Sequence, residues 1–229
     1  MSETIVLITG GNRGLGKETA RQMATRGATV ILGSRDLAAG EAAAREIPDA
    51  VAIQLDVGDD ASIRSAFAEV ESRFGRLDVL INNAGIYPEA DQTILTASRA
   101  LMAGTFETNT LGPLALTQAF VPLLRRSKHP RVVNVSSGYG QIEGLSAGVP
   151  SYCISKLALN GVTIMLAEAL KPDGIAVNSV CPGWVRTEMG GPQAPRSVEQ
   201  GASGIVWLAV DASQSESGKF FRDGQALAW

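Results

Sequence analysis

The sequence is poor in the side chains that most often run covalent or metal chemistry. Its 229 residues include one histidine and two cysteines. The histidine, His129, follows Arg125-Arg126-Ser127-Lys128 and precedes Pro130, a polar context that reads as an exposed loop. A Ser-His-Asp triad or a multi-histidine zinc site would have to rest on this one residue, so both are set aside. Cys153 and Cys181 are too few for a disulfide framework. They read as small core residues in a reducing compartment, which makes the expected location cytoplasmic.

Charge is scarce as well. Charged residues make up 19% of the chain and the net charge is -3. No basic stripe stands out, so neither nucleic acid nor an anionic membrane surface is expected as a partner. No apolar run reaches the roughly 20 residues of a membrane span. The N-terminal stretch holds a strand and a Gly-rich turn, without the charged start and cleavage site of a leader. What the chain does have is apolar material, 45% of its residues, enough for one sizeable core.

That material alternates between short β-branched runs and longer helical segments. The pattern predicts strands over 5–8, 29–32, 51–55, 77–82, 131–135, 175–180 and 219–221. Helices are predicted over 16–25, 37–46, 62–74, 100–124, 152–170 and 198–210, the fourth kinked near Gly112-Pro113. No repeat or linker divides them. The expected fold is a single doubly wound α/β domain of Rossmann type, residues 1–229, with a seven-stranded parallel sheet. Residues 1–130 would form a cofactor half and 131–229 a catalytic and substrate half.

The turn after the first strand reads Thr9-Gly10-Gly11-Asn12-Arg13-Gly14-Leu15-Gly16. Glycines at a strand–helix joint let the backbone approach a pyrophosphate, and the helix N-terminus offers free N–H groups to it. A dinucleotide site is expected there. The second strand ends Ser34-Arg35-Asp36, where NAD would call for a carboxylate facing its 2′-hydroxyl. Arg35, with Arg13 from the turn, instead favours the 2′-phosphate of NADP(H). Asp36 then reads as the cap of the next helix; a strand two residues longer would make it the NAD carboxylate. Asp56-Val57 is placed to touch the adenine, and Asn82-Asn83-Ala84-Gly85 offers a flat backbone path beside the ribose.

Tyr152 and Lys156 stand at i and i+4, on one helix face. A phenol titrates near pH 10, and a neighbouring ammonium brings that value toward neutrality. Ser136-Ser137 ends the fifth strand at the edge where open α/β sheets bind ligands, and a hydroxyl there can hold a substrate oxygen.

The glycine turn, Asn82–Gly85, Asn109, Ser137, Tyr152-x-x-x-Lys156 and Cys181-Pro182-Gly183 together resemble the short-chain dehydrogenase/reductase family over essentially the whole chain. Gly33–Asp36, Pro182–Met189 and the ending 217–229 look most like its NADPH-dependent carbonyl reductases. The animal enzymes carry a long insertion between serine and tyrosine; here only residues 138–151 intervene.

The resemblance implies a proton donor, Tyr152, and a lysine, Lys156, that lowers its pKa and holds the nicotinamide ribose. Ser137 would orient the carbonyl, and Asn109 would hold a water linking Lys156 to solvent. The implied cofactor contacts are Gly10, Asn12, Arg13, Gly14, Leu15, Gly16, Ser34, Arg35, Asp56, Val57, Asn83, Ala84 and Gly85. Pro182, Gly183, Val185 and Thr187 would line the nicotinamide. The substrate is expected to be a small apolar ketone or aldehyde, against Ile86, Tyr87, Tyr139, Ile142, Trp184 and Met189. Without the insertion, the helices beginning near Ala100 and Tyr152 are free to pair into a homodimer or homotetramer. The competing functions are an alcohol dehydrogenase, a reductase of acyl-carrier-bound keto groups, and a non-catalytic NADPH sensor.

Overall fold

The first strand, β1 (Ile5–Thr9), is buried along its whole length, as a strand covered on both faces by helices must be. The computed structural model describes residues 4–88 and 92–229. Beside β1 lie β2 (Thr29–Ser34) and then β3 (Ala50–Gln54) on one side. On the other follow β4 (Val79–Asn82), β5 (Arg131–Val135), β6 (Ala176–Val180) and β7 (Phe220–Arg222), all parallel. Sheet order therefore reverses between β1 and β4, and the carboxyl ends of the strands open a crevice at that switch point.

Among the described residues the sheet has eight strands rather than seven. The last, β8 (Gln225–Leu227), returns antiparallel to β7. Asp223 and Gly224 both take positive φ between them, the signature of a two-residue hairpin turn. The Asp-Gly dipeptide carried this signal, but a three-residue strand is too short for periodicity to reveal.

Helices cover the two faces. α1 (Gly14–Thr25) and α7 (Val198–Val206) pack over Val6, Ile8, Val30 and Leu32. On the other face, α3 (Asp60–Phe74) and α5 (Gly112–Leu124) cover Leu7, Ile31, Leu80 and Val132. Adjacent β1 side chains thus enter opposite cores, the period-two rule of a strand. The short α2 (Leu37–Ala44) leans on β3.

Two differences from the sequence expectation bear on the site. The helix expected over 100–124 is α4 (Arg99–Phe106) and α5, joined by a wide π-type turn, Glu107–Leu111. The irregularity sits ahead of Gly112-Pro113 because proline tolerates the first turn of the following helix. It places Asn109 in a turn whose backbone leaves the regular α-helical pattern, a frequent feature of functional sites. The last helix is likewise shortened, passing at Trp207 into a second such turn. α6 (Pro150–Ala169) begins two residues before Tyr152 and runs beneath β5 and β6. Among the described residues, no helix is long and apolar enough to cross a membrane.

Candidate active site

The glycine turn is built as the sequence required. Gly10 and Gly14 have φ of +63° and +51°, conformations that side chains resist. A Cβ on Gly16 would stand 2.3 Å from the carbonyl oxygen of Gly10, so the turn closes only with glycine there. A Cβ on Gly14 would meet nothing but Thr187, at 3.6 Å and beyond. The turn presents bare backbone at the N-terminus of α1, a cradle that fits a pyrophosphate. Asn12 is half-buried within the turn, and Leu15 turns away from the crevice to pack against α7 at Gly201.

Strand β2 does run two residues beyond the expected end, to Ser34. Asp36 nevertheless caps α2, its side chain accepting from the Ala39 N–H at 3.2 Å. One oxygen of its carboxylate is thus engaged by the helix. Ser34 is buried and donates its hydroxyl to the Asp36 carbonyl oxygen at 2.7 Å, so it shapes the strand end, while Arg35 and Asp36 are both exposed there. Asp56 accepts from the Gly58 N–H at 3.0 Å, and Val57 is buried against the start of α5 at Gly112.

Thr9 fastens β1 to β4. Its hydroxyl oxygen accepts from the N–H groups of Asn83 and Ala84 at 3.0 and 2.9 Å. Asn83 returns a bond from its side chain to the Thr9 carbonyl at 2.8 Å. Beyond them, Gly85 keeps a gap open, since a Cβ would lie 3.2 Å from Asn109 Oδ1 and 3.5 Å from Lys156 Nζ. Asn109 is fully buried. Its side chain accepts from Ile86 N–H at 2.8 Å and donates to the Ile86 carbonyl at 2.9 Å and to Ser155 Oγ at 3.1 Å. The Asn109 side chain thus clamps the loop after β4 onto α6.

Ser137, at the end of β5, hydrogen-bonds the Tyr152 hydroxyl and accepts from the Tyr139 N–H at 3.2 Å. The Tyr152 ring is flanked edge-on by Tyr87 and Tyr139, with centroids 4.9 and 6.3 Å away. Lys156 is buried behind it, its Nζ 2.8 Å from the Val135 carbonyl oxygen.

One electrostatic expectation fails. Burial drives the Tyr152 pKa up, and the hydrogen bond from Ser137 offsets only part of that rise. Burial also brings Lys156 down from 10.5 to about 8, because the charged amine has lost its water. In this state the tyrosine holds its proton firmly.

Pro182 and Gly183 follow β6, with Gly183 at φ +81°. Val185 is buried and bridges to Arg196. Thr187 spends its hydroxyl inside its own loop, accepting from the Gly190 N–H at 3.0 Å. Of the expected pocket residues, Ile86 and Tyr87 are half-buried. Tyr139, Ile142, Trp184 and Met189 are exposed around the opening.

Supporting contacts of three residues, Cys181, Arg222 and Asn160, lay outside the sequence reading. Cys181 Sγ accepts from the Gly138 N–H at 3.2 Å, the Gly183 N–H at 3.4 Å and Arg222 at 2.9 Å. It is buried, as expected of a core residue, and it also ties the serine turn to the loop after β6. Arg222 comes from the far end of the chain and carried no local signal. Asn160, one turn after Lys156, donates to the Gly140 carbonyl at 3.1 Å and holds the same serine turn against α6.

The matching family model is that of the short chain dehydrogenases, over residues 4–197. The chain belongs to this family of oxidoreductases and lies close to its carbonyl reductases. It is 38% identical to the short-chain dehydrogenase anuI of Penicillium roqueforti, over 99% of this chain and 97% of that one. With (+)-neomenthol dehydrogenase of Arabidopsis thaliana it shares 35% identity over 94% of each. The solved structure of NADPH-bound carbonyl reductase from chicken fatty liver superposes with a TM-score of 0.92, at 31% identity and full coverage of both chains.

Proposed function

We propose that the protein is an NADP(H)-dependent reductase of small apolar ketones or aldehydes, with Tyr152 as the proton donor. The observation that carries this reading is the Ser137–Tyr152 hydrogen bond at the crevice edge, with Lys156 buried behind it. When bound, the nicotinamide supplies the hydride. Ser137 holds the substrate carbonyl oxygen, and Tyr152 passes it the phenolic proton. The upward-shifted tyrosine is protonated at neutral pH, the form that reduction needs. Lys156 stabilises the phenolate left behind and binds the ribose hydroxyls. Asn109 keeps Gly85 and Ile86 beside that lysine, and Pro182, Gly183, Val185 and Thr187 line the nicotinamide.

Arg13 and Arg35 would hold the 2′-phosphate, since the one carboxylate at the end of β2 caps a helix. The NADPH named with the chicken enzyme supports the same choice. In this reading, residues 1–130 bind the cofactor and 131–229 carry the chemistry. We also infer a cytoplasmic homodimer or homotetramer. An apolar surface of Met102, Ala103, Phe106 and Ile154, shared by α4 and α6, supports pairing of those helices.

A panel of simple ketones with the Tyr152→Phe variant tests the proposal. Turnover should fall by at least about a thousandfold while NADPH binding persists. Near-wild-type turnover in that variant would remove Tyr152 as the donor. Tight NADPH binding by the wild type, with no carbonyl reduced, would favour a sensor over an enzyme.

A further inference from the structure

Arg13 occupies the N-cap position of α1 and has no hydrogen bond from its side chain to the helix it starts. Its guanidinium pairs instead with Glu188, from the loop after β6. Both side chains are largely exposed, 70% for Arg13 and 77% for Glu188, so solvent reaches the pair. The same loop rests on the glycine turn through Thr187, whose methyl group lies nearest the point where Gly14 would carry a Cβ. A carboxylate is thus held on the one arginine of the cofactor turn.

Such a carboxylate does two things to an incoming anion. It occupies guanidinium N–H groups that a phosphate would use, and it adds negative charge where the phosphate must sit. A cofactor with a 2′-phosphate has to displace it, whereas one with a free 2′-hydroxyl does not need Arg13. A dianionic phosphate outcompetes a single carboxylate, yet gains less than it would from an unpaired arginine. Arg35, exposed at the end of β2, is not held this way by Glu188.

We propose that Glu188 sets the strength of cofactor discrimination by competing with the 2′-phosphate for Arg13. The inference rests on the NADP(H) reading above and extends it to a residue outside the cofactor contacts. Binding of 2′,5′-ADP and of ADP to the intact protein, by calorimetry, reads it without turnover. Glu188→Gln should tighten 2′,5′-ADP by about two- to fivefold, the scale of an exposed ion pair, and leave ADP unchanged. In an Arg13→Gln background the same substitution should have no effect on either ligand.

Equal tightening of both ligands would overturn the proposal, because Glu188 would then act as a general repulsive charge. Weaker 2′,5′-ADP binding in Glu188→Gln would also overturn it, showing that the carboxylate organises Arg13 rather than competes for it. If Arg13→Gln weakens 2′,5′-ADP but Glu188→Gln changes nothing, this inference fails and the cofactor reading stands. If wild-type protein binds 2′,5′-ADP no better than ADP, and neither Arg13→Gln nor Arg35→Gln matters, the cofactor reading itself fails.

Discussion

Lys156 holds its Nζ 5.6 Å from the centre of the Tyr152 ring while donating to the Val135 carbonyl oxygen at 2.8 Å. The two residues share a helix face near the end of β5, Tyr152 half-buried and Lys156 buried. Each keeps its uncharged form longer than in water, the tyrosine by retaining a proton and the lysine by losing one early.

The lysine makes stability depend on pH in a definite direction. In the unfolded chain it stays protonated to about pH 10.5, but in the folded protein only to about pH 8. Between those values the unfolded state binds more protons, so stability rises with pH. Over the two pH units from 8 to 10 the gain is about 2–3 kcal/mol. Urea titrations at both pH values should show it in the wild type, and Lys156→Met should lack that part of the rise.

The buried Asn109 side chain makes three hydrogen bonds across two segments. Replacing it with alanine strands both backbone groups of Ile86. The expected loss is about 2 kcal/mol, a fall in melting temperature of about 4–8 °C. Turnover should drop with it, because Gly85 and Lys156 lose their spacing. Scanning calorimetry beside a ketone-reduction assay checks both.

Asp36 and Arg35 are neighbours with separable roles. Asp36→Ala should cost about 1 kcal/mol through the lost helix cap and leave the NADPH-to-NADH preference where it was. Arg35→Ala should do the reverse, lowering that preference by about tenfold with little change in stability. A change in cofactor preference on removing Asp36 would return that carboxylate to the ribose.

The apolar surface of α4 and α6 predicts association through those helices. Light scattering at micromolar concentration should give a dimer or tetramer, and Ile154→Glu should shift it toward monomer. A monomeric wild type would discard the oligomer.

Much of the site was readable because its signals are local. The glycine turn declares itself in eight consecutive residues, and the tyrosine–lysine pair in five. Asp36 was readable as a cap because its partner, Ala39, lies three residues on. The serine at the end of β5 followed from the strand's own apolar run. Arg222 and Cys181, by contrast, meet across 41 residues, and Asn160 meets Gly140 across 20. No sequence window contains both partners of either pair.

By itself, then, the sequence determined the alternation of strands and helices, the bare turn after β1 and the shared face of Tyr152 and Lys156. Backbone periodicity, capping and glycine's freedom act within a few residues, so a linear reading recovers them. Only the tertiary structure decided that Tyr152 holds its proton more tightly and that Asn109 clamps the Ile86 loop. It alone joined Arg13 to Glu188. Desolvation and long-range pairing depend on which distant segments close over a side chain, and that is fixed only when the sheet and its two helical layers have packed.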